Sequence, residues 1–258
     1  TLTRARVMPG ERLEMLVDLT GMEGSGYQLM SYGSELPNGI LGSPQVGNGM
    51  ATLDGYDQNA LNGSDFALVT FTVGSQTSDP ITSIPSALVP TNALNEADAD
   101  ITRTFTFAPQ TMGPMGMIEG PFTINNEIMD MGVINVTVPL DNTEIWSFTN
   151  NTMVAHPFHI HDVEFNILDR NGAAPDLWET GWKDVVYVPA QGSARVLMRF
   201  EDFADPITPY MYHCHMLMHE DEGMMGQFVV VDPNGVAEHD GQDMMIWPNP
   251  CLDAINLQ

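Results

Sequence analysis

The strongest constraint on the fold of this chain is its succession of short runs of β-branched and aromatic residues. Between them stand many of the 23 glycines and 18 prolines, and no long segment keeps the 3.6-residue period of a helix. Strands are predicted at residues 11–19, 66–73, 104–107, 133–138, 145–148, 163–168, 184–188, 194–200 and 227–231. Many short strands at this spacing predict an all-β protein made of sandwiches or barrels.

The predicted strands divide into two groups. Residues 77–100 are rich in Pro, Ser and Thr, which predicts a linker between two units. Residues 101–232 supply about seven strands, enough for a complete sandwich, whereas residues 1–76 supply about four, too few to close a core. Residues 1–76 are therefore expected to be the second part of a domain whose beginning is missing, and residues 233–258 a surface tail.

The charge of the chain limits its partners. Eight basic residues against 34 acidic ones give a formal net charge of −26. A surface this negative repels phosphate backbones and anionic lipids, so neither nucleic acid nor a membrane is an expected partner. Hydrophobic residues make up 43% of the chain, which is enough to bury a core. No apolar run approaches the ~18 residues of a membrane span.

All seven histidines lie beyond the first unit and the linker. None of the seven occurs before residue 156, and six lie in two motifs, His156-Pro-Phe-His159-Ile-His161 and His213-Cys214-His215-Met-Leu-Met-His219-Glu-Asp-Glu-Gly-Met224. The seventh, His239, stands alone in the acidic tail and is predicted to be a solvated surface residue.

Strand geometry divides these side chains between two faces. Because residues i and i+2 share a face of a strand, His213 and His215 point to one side and Cys214 to the other. By the same reasoning one predicted face carries Cys214, His156, His219 and Met224, and the other carries His159, His161, His213 and His215. The two motifs thus predict two metal sites placed back to back, joined by the backbone of Cys214.

The donor types indicate copper. One thiolate, two imidazoles and a distant thioether form the ligand set of a blue-copper electron-transfer site. The all-imidazole face suits further copper ions. A structural zinc site is the alternative, but zinc sites favour C-x₂₋₄-C and H-x₃₋₅-H pairs, which an H-C-H triplet does not provide.

At these motifs the sequence resembles the multicopper oxidases, that is, laccases, copper-efflux oxidases and spore-coat laccases. HPFHIH and HCHMLMHEDEGMM resemble the two C-terminal copper motifs of that family, and Gly181-Trp182-Lys183-Asp184 and Pro9-Gly10-Glu11-Arg12 fit it too. The resemblance implies cupredoxin-like Greek-key β-sandwich domains, one partial and one complete.

The resemblance also implies a role for each motif residue. His156, Cys214, His219 and Met224 would hold the type 1 copper, His159 the type 2 copper, and His161, His213 and His215 the type 3 coppers. The family's three-copper cluster uses eight histidines, four of them from two H-x-H motifs that this chain lacks. A complete enzyme with four coppers would therefore need an N-terminal cupredoxin portion, as a separate or missing polypeptide.

The implied function is a laccase-like oxidase. A small reducing substrate would lose one electron at a time at the type 1 copper, and O₂ would be reduced to water at the cluster. His219 is expected to present its edge to the substrate. Glu220 is expected to donate protons, the alternative being an ordinary solvated acid. Export to the periplasm or the outside of the cell is also implied.

The substrate is left open between two classes. Met112, Met115, Met117, Met129 and Met131 resemble the Cu(I)-binding segments of copper-efflux oxidases, although methionines also fill cores. Cu(I)-oxidising members carry Asp four residues before the first motif, where this chain has Thr152. Phenols and aromatic amines are therefore the predicted substrates, and a cuprous oxidase is the alternative.

Other functions and one residue remain open. An electron carrier with a type 1 copper alone is a further alternative. Two other classes of copper protein are not favoured. Copper nitrite reductases lack the H-C-H triplet that this chain has, and a two-domain laccase would need an H-x-H motif in its first domain, where residues 1–76 have no histidine. Cys251 is either a free thiol or, in an exported protein, half of a disulfide to a partner segment.

Overall fold

The computed structural model describes residues 4–47, 52–81, 83 and 94–233. The predictions for His239 and Cys251 lie outside these residues, as does much of the predicted linker, so they stay predictions. Within the described part the chain is all-β, as predicted. No helix there is both long and apolar enough to cross a membrane.

The described residues contain twelve strands and two short helices. The strands are β1 (Gly26–Tyr32), β2 (Asp65–Thr72), β3 (Ile101–Pro109), β4 (Phe122–Ile124), β5 (Val136–Pro139), β6 (Thr143–Asn150), β7 (His156–Ile160), β8 (Phe165–Arg170), β9 (Val185–Val188), β10 (Ser193–Arg199), β11 (Asp205–Cys214) and β12 (Met225–Val231). The helices are α1 (Gly116–Glu119) and α2 (Leu217–Asp221). Single 3₁₀ turns occupy Gly33–Glu35, Tyr56–Gln58, Glu96–Asp98 and Leu177–Glu179.

The second unit is a sandwich of two five-stranded sheets. One has the order β4-β3-β6-β10-β8 and the other β5-β12-β11-β7-β9. Side chains that alternate along the strands meet between the sheets, where aromatic rings fill the core, among them Phe105, Phe107, Trp146, Phe148, Phe158 and Phe228. The ring centroids of Phe148 and Phe158, from opposite sheets, are 4.3 Å apart. This interlocked core fixes β7 and β11, the strands that carry the histidine motifs.

In its described residues the first unit contributes one two-stranded sheet, in which β1 pairs antiparallel with β2, so it has two strands and not the about four expected. The predicted strand at residues 11–19 is wrong, because no strand partner hydrogen-bonds to this segment in the described residues. Its apolar side chains at Met15, Leu16 and Val17 are more than half exposed. A β run forms a stable strand only where a neighbouring strand pairs with it.

The two units meet at a small apolar cluster. Met8 and Ile40 from the first unit pack with Ala155 and Tyr187 from the second. The Ala155 N–H donates to the carbonyl oxygen of Gly39 over 2.7 Å. Because Ala155 directly precedes β7, this contact anchors the first unit beside the first histidine motif.

Candidate metal centre

Strands β7 and β11 are antiparallel neighbours, and they carry most of the predicted ligands. His213 pairs with His159, and Cys214 pairs with Phe158. Phe158 and Cys214 belong to the core between the sheets, whereas His159 and His213 point to the other face. The alternation of a pleated strand therefore separates the sulfur of Cys214 from the imidazoles on either side of it.

On the core face three donors converge, which we call the thiol cluster: His156, Cys214 and His219. The Cys214 Sγ lies 3.6 Å from His156 Nδ1 and 3.5 Å from His219 Nδ1, and the two nitrogens are 3.2 Å apart. Met224 is fully buried. Its main chain lies beside the cluster, because its carbonyl oxygen accepts the Cys214 N–H and its own N–H donates to the carbonyl of His219.

Burial shapes the chemistry of the thiol cluster. It lowers the pKa of His219 to about 4, and it also lowers the pKa of His156, so both imidazoles are neutral and able to bind a metal at neutral pH. The same burial raises the pKa of Cys214 to about 12. A buried thiol of this kind becomes a thiolate when a cation binds at its sulfur. The donor set fits a copper ion held by one thiolate and two imidazoles.

Aromatic rings close the thiol cluster. Phe122 stands edge-on to both imidazoles, with ring centroids 4.8 Å from His156 and 4.7 Å from His219. His219 is 1% exposed, so the edge that was expected to face the substrate is covered in this structure. Its exposed neighbours on α2 are Leu217 and Met218, at 71% and 51%.

A buried hydroxyl selects which nitrogen of His156 faces the cluster. Thr152 Oγ1 lies 2.8 Å from His156 Nε2. The single hydroxyl hydrogen has two oxygen acceptors within reach, Asn150 Oδ1 at 2.8 Å and the carbonyl of Val154 at 2.9 Å. We assign the hydroxyl hydrogen to one of these two oxygens, so that the hydroxyl oxygen accepts the Nε2–H of His156. The lone pair of Nδ1 is thereby left pointing at the sulfur.

On the opposite face lies the imidazole cluster: His159, His161, His213 and His215. The Nε2 atoms of His161 and His213 are 3.3 Å apart, and both residues form a possible metal-binding group with His159. The ring of His215 completes the cluster, with its centroid 5.5 Å from that of His159 and 5.4 Å from that of His213.

Main-chain carbonyls orient two of these rings. His159 Nδ1 donates to the carbonyl of Asp184 over 2.8 Å, and His213 Nδ1 donates to the carbonyl of Cys214 over 3.0 Å. Each bond leaves Nε2 as the free nitrogen. Burial lowers the pKa of His159 and of His161, which favours the neutral, metal-binding imidazole.

Acidic side chains surround the imidazole cluster. Glu220 Oε2 lies 3.3 Å from His213 Nδ1, and the Glu220 side chain is 30% exposed. An open cavity of about 360 Å³ borders His159 and His161 and has Asp162 and Asp184 in its lining. Burial, with Asp202 nearby, raises the pKa of Asp162 to about 6. The cluster thus has both a route to solvent and carboxylates beside it.

Comparison with known proteins identifies the family. The sequence profile described as Multicopper oxidase matches residues 96–234, more than half of the chain. The chain belongs to the multicopper oxidase family. Copper is the metal that this membership implies for the two clusters.

Three relatives show the breadth of this multicopper oxidase family. The chain is 32% identical over 206 residues to a laccase of Haloferax volcanii, covering 75% of this chain and 34% of that one. It is 32% identical over 114 residues to the cell division protein FtsP of Photorhabdus laumondii, covering 43% of this chain and 23% of that one. A solved structure, the laccase-like multicopper oxidase CueO from the lignin-degrading bacterium Ochrobactrum sp., matches with a TM-score of 0.58 and 35% identity over 66% of this chain and 39% of that one. The chain thus spans about a third or less of these two curated relatives.

The structure brings seven of the eight predicted ligands into the two clusters and buries the eighth, Met224, beside the thiol cluster. Their role as copper ligands stays a prediction. Sequence reasoning missed the residues that support them. Thr152 was noted only as a departure from the cuprous oxidases, and Phe122 and Asp184 were given no role at the site. One signal could have pointed to Asp184. It ends the motif Gly181–Asp184, which fits the family, as does the motif Pro9–Arg12, whose Arg12 contacts Asp184 in the structure.

Proposed function

We propose that this chain is the C-terminal part of a laccase-like multicopper oxidase. The enzyme would oxidise phenols or aromatic amines one electron at a time at a type 1 copper and reduce O₂, with four electrons and four protons, to two waters at a three-copper cluster. The observation that carries the proposal is the placement of the thiol cluster and the imidazole cluster on opposite faces of one strand pair.

Family membership alone does not carry this proposal, because the relatives include a protein named for cell division. Fold does not determine chemistry, whereas a donor set does. Bound copper would supply one-electron redox chemistry at His156, Cys214, His219 and Met224, and at the imidazole cluster. The convergence of the three donors of the thiol cluster, and of the four rings of the imidazole cluster, supports the proposal.

The residues between the clusters connect them electronically. Cys214 on one face is joined by a single peptide bond to His213 and by another to His215 on the other face. The hydrogen bond from His213 Nδ1 to the Cys214 carbonyl adds a second connection. Cys214 therefore couples its sulfur to both imidazoles over a short bonded route.

Glu220 is proposed to supply protons. Its carboxylate lies 3.3 Å from His213 Nδ1 and remains partly open to solvent. A carboxyl group in that place can take a proton from water and pass it toward the imidazole cluster.

The imidazole cluster holds four of the family's eight histidines, so we propose that an N-terminal cupredoxin portion completes it, bringing the total to four coppers. The first unit supports this proposal. Its sheet leaves Leu68 and Val69 on β2 more than half exposed, which suits packing against a further part of the protein. A periplasmic or extracellular location is part of the same proposal.

For the reductant we propose a phenol or aromatic amine. The Ochrobactrum enzyme is described as acting on lignin model compounds and lignosulfonate. The exposed Leu217 and Met218, next to His219 in α2, offer an apolar surface for a ring. Electrons would cross from that surface to the covered His219.

A cuprous oxidase is the second candidate, and one observation favours it. Met112, Met115 and Met131 are exposed, at 80%, 43% and 70%, so these thioethers do not fill the core. Soft thioethers on a surface suit Cu(I). Against this stands Thr152, where the family's Cu(I)-oxidising members carry Asp.

The test uses the full-length protein that carries this chain. We expect four coppers per molecule, an intense thiolate-to-Cu(II) absorption, and O₂ uptake with a phenol that exceeds uptake with Cu(I). Cys214→Ser should abolish the absorption and the phenol oxidation, because Cys214 supplies the thiol of the cluster among the described residues. Cys251→Ser, the matched control, should keep both. A copper-loaded wild type without the absorption would refute the oxidase assignment, and faster turnover of Cu(I) would favour the second candidate.

A further inference from the structure

Residues 10–12 of the first unit lie against the imidazole cluster of the second unit, about 170 residues or more away in sequence. Three consecutive residues make three separate contacts there. Gly10 meets the ring of His215, Glu11 pairs with Lys183, and Arg12 pairs with Asp184.

Gly10 is in van der Waals contact with His215 and leaves no space for a side chain. A Cβ at this position would stand 2.3 Å from Cδ2 of the His215 ring and 2.6 Å from its Nε2. The backbone has φ +79°, a conformation that glycine adopts without strain. The backbone of residue 10 therefore acts as a wall that fixes where the His215 imidazole stands.

Arg12 reaches the other ring through Asp184. Its guanidinium donates to both carboxylate oxygens of Asp184, at 2.8 and 2.7 Å, and to the carbonyl of Gly10 at 3.0 Å. The main-chain carbonyl of Asp184 in turn accepts the Nδ1–H of His159. Arg12 thus connects the wall behind His215 to the residue that orients His159.

Glu11 attaches the same segment a second time. One carboxylate oxygen accepts from Lys183 Nζ over 2.9 Å, and the other accepts the Met8 N–H over 3.1 Å. Both side chains are nearly buried, at 6% for Glu11 and 11% for Lys183. The Arg12 side chain is by contrast 67% exposed, and exposed pairs of this kind contribute little to folding stability.

We propose that residues 10–12 form a positioning element for the imidazole cluster, holding the His159 and His215 rings in the geometry that binds copper. This inference rests on the proposed function, since it concerns the copper of that cluster. Partners that orient metal ligands typically change metal affinity about 10–100-fold when they are removed.

The test measures copper itself in the full-length protein. Arg12→Gln should weaken copper retention against a chelator about 10–100-fold at the imidazole cluster and alter the electron paramagnetic resonance of its Cu(II). The thiolate-to-Cu(II) absorption of the thiol cluster should stay at the wild-type level. Arg12→Lys should restore part of the retention. Arg4→Gln, which removes an exposed pair with Glu35 in the same unit, is the control and should change neither signal.

A second pair of variants tests the wall. Gly10→Ala should displace His215 and lower copper retention, whereas Gly24→Ala should not, since Gly24 has φ +78° and nothing within 4 Å of a Cβ. The inference is overturned if Arg12→Gln and Gly10→Ala retain copper like their controls, or if both clusters lose copper together with the fold. A wild-type protein that binds no copper would instead overturn the proposed function.

Discussion

Thr152 should stabilise His156 in one tautomer, and replacing its hydroxyl tests this directly. Thr152→Val keeps the shape of the side chain and removes the oxygen. The main-chain N–H of residue 152 still donates to Asn150 Oδ1 over 2.9 Å, and Asn150 Nδ2 still donates to the Val154 carbonyl over 2.8 Å. The change therefore leaves two donors without their acceptor: the main-chain N–H of Val154, over the longer distance of 3.4 Å, and the Nε2–H of His156.

Most of the cost follows from where the His156 imidazole lies. Thr152 and His156 are both fully buried, and Phe107 and Phe122 stand edge-on to the imidazole, so neither water nor another acceptor replaces the hydroxyl. An unsatisfied buried donor costs about 1–3 kcal/mol. For a unit of about this size, that lowers the melting temperature by about 2–12 °C.

The assay is calorimetric unfolding of the metal-free protein, with copper titration as a second measurement. Thr152→Ser keeps the hydroxyl and serves as the matched control, and it should keep most of the stability and all of the copper affinity. Thr152→Val should be less stable than the wild type and should bind copper more weakly, since Nδ1 of His156 is no longer the preferred free nitrogen. If the two variants unfold at the same temperature and bind copper equally, the hydroxyl does not select the tautomer.

Three further predictions follow from the site and the interface. Burial lowers the pKa of His219 from 6.5 to about 4, so the unfolded chain binds more protons than the folded chain between these pH values. The metal-free protein should therefore lose about 3 kcal/mol of stability as the pH falls from 6.5 to 4, which denaturant unfolding would measure. Glu220→Gln should slow O₂ reduction while the thiolate-to-Cu(II) absorption persists, and loss of that absorption would point to a structural role. Gly39→Ala should destabilise the protein by about 1–3 kcal/mol more than Gly21→Ala. Both glycines have positive φ, but only a Cβ at Gly39 would meet another atom closely, 2.9 Å from Ala190 Cβ. Equal melting temperatures of the two variants would exclude a tight contact at Gly39.

The two clusters were predictable because their geometry is local. The period of a strand alone assigns Cys214 and His213 to opposite faces, whatever the rest of the fold does. The structure has this arrangement, and β7 and β11 pair so that His159 stands beside His213. Residues 205–214 are not among the strands predicted from the sequence, and this segment contains Pro206 and Pro209. In the structure the prolines lie where the pairing with β12 shifts register.

The supporting contacts were not predictable, because they join residues far apart in sequence. Nothing local indicates that Arg12 meets Asp184, 172 positions later. The predicted strand at residues 11–19 failed for a related reason, since a strand depends on a partner that its own sequence does not name. Whether Met112, Met115 and Met131 fill the core or lie on the surface also depends on tertiary contacts. In the structure these three side chains are exposed.

The two clusters use different nitrogens, and this difference has a spatial consequence. His156 and His219 direct Nδ1 at the sulfur, whereas His161 and His213 meet through Nε2. Nδ1 is bonded to the ring carbon nearest the backbone, so a metal held through it lies close to the strand, within the core. Nε2 is farther from the backbone, so a metal held through it lies beyond the face of the sheet. That second position, beyond the face of the sheet, is where the proposed N-terminal portion would have to bring its histidines.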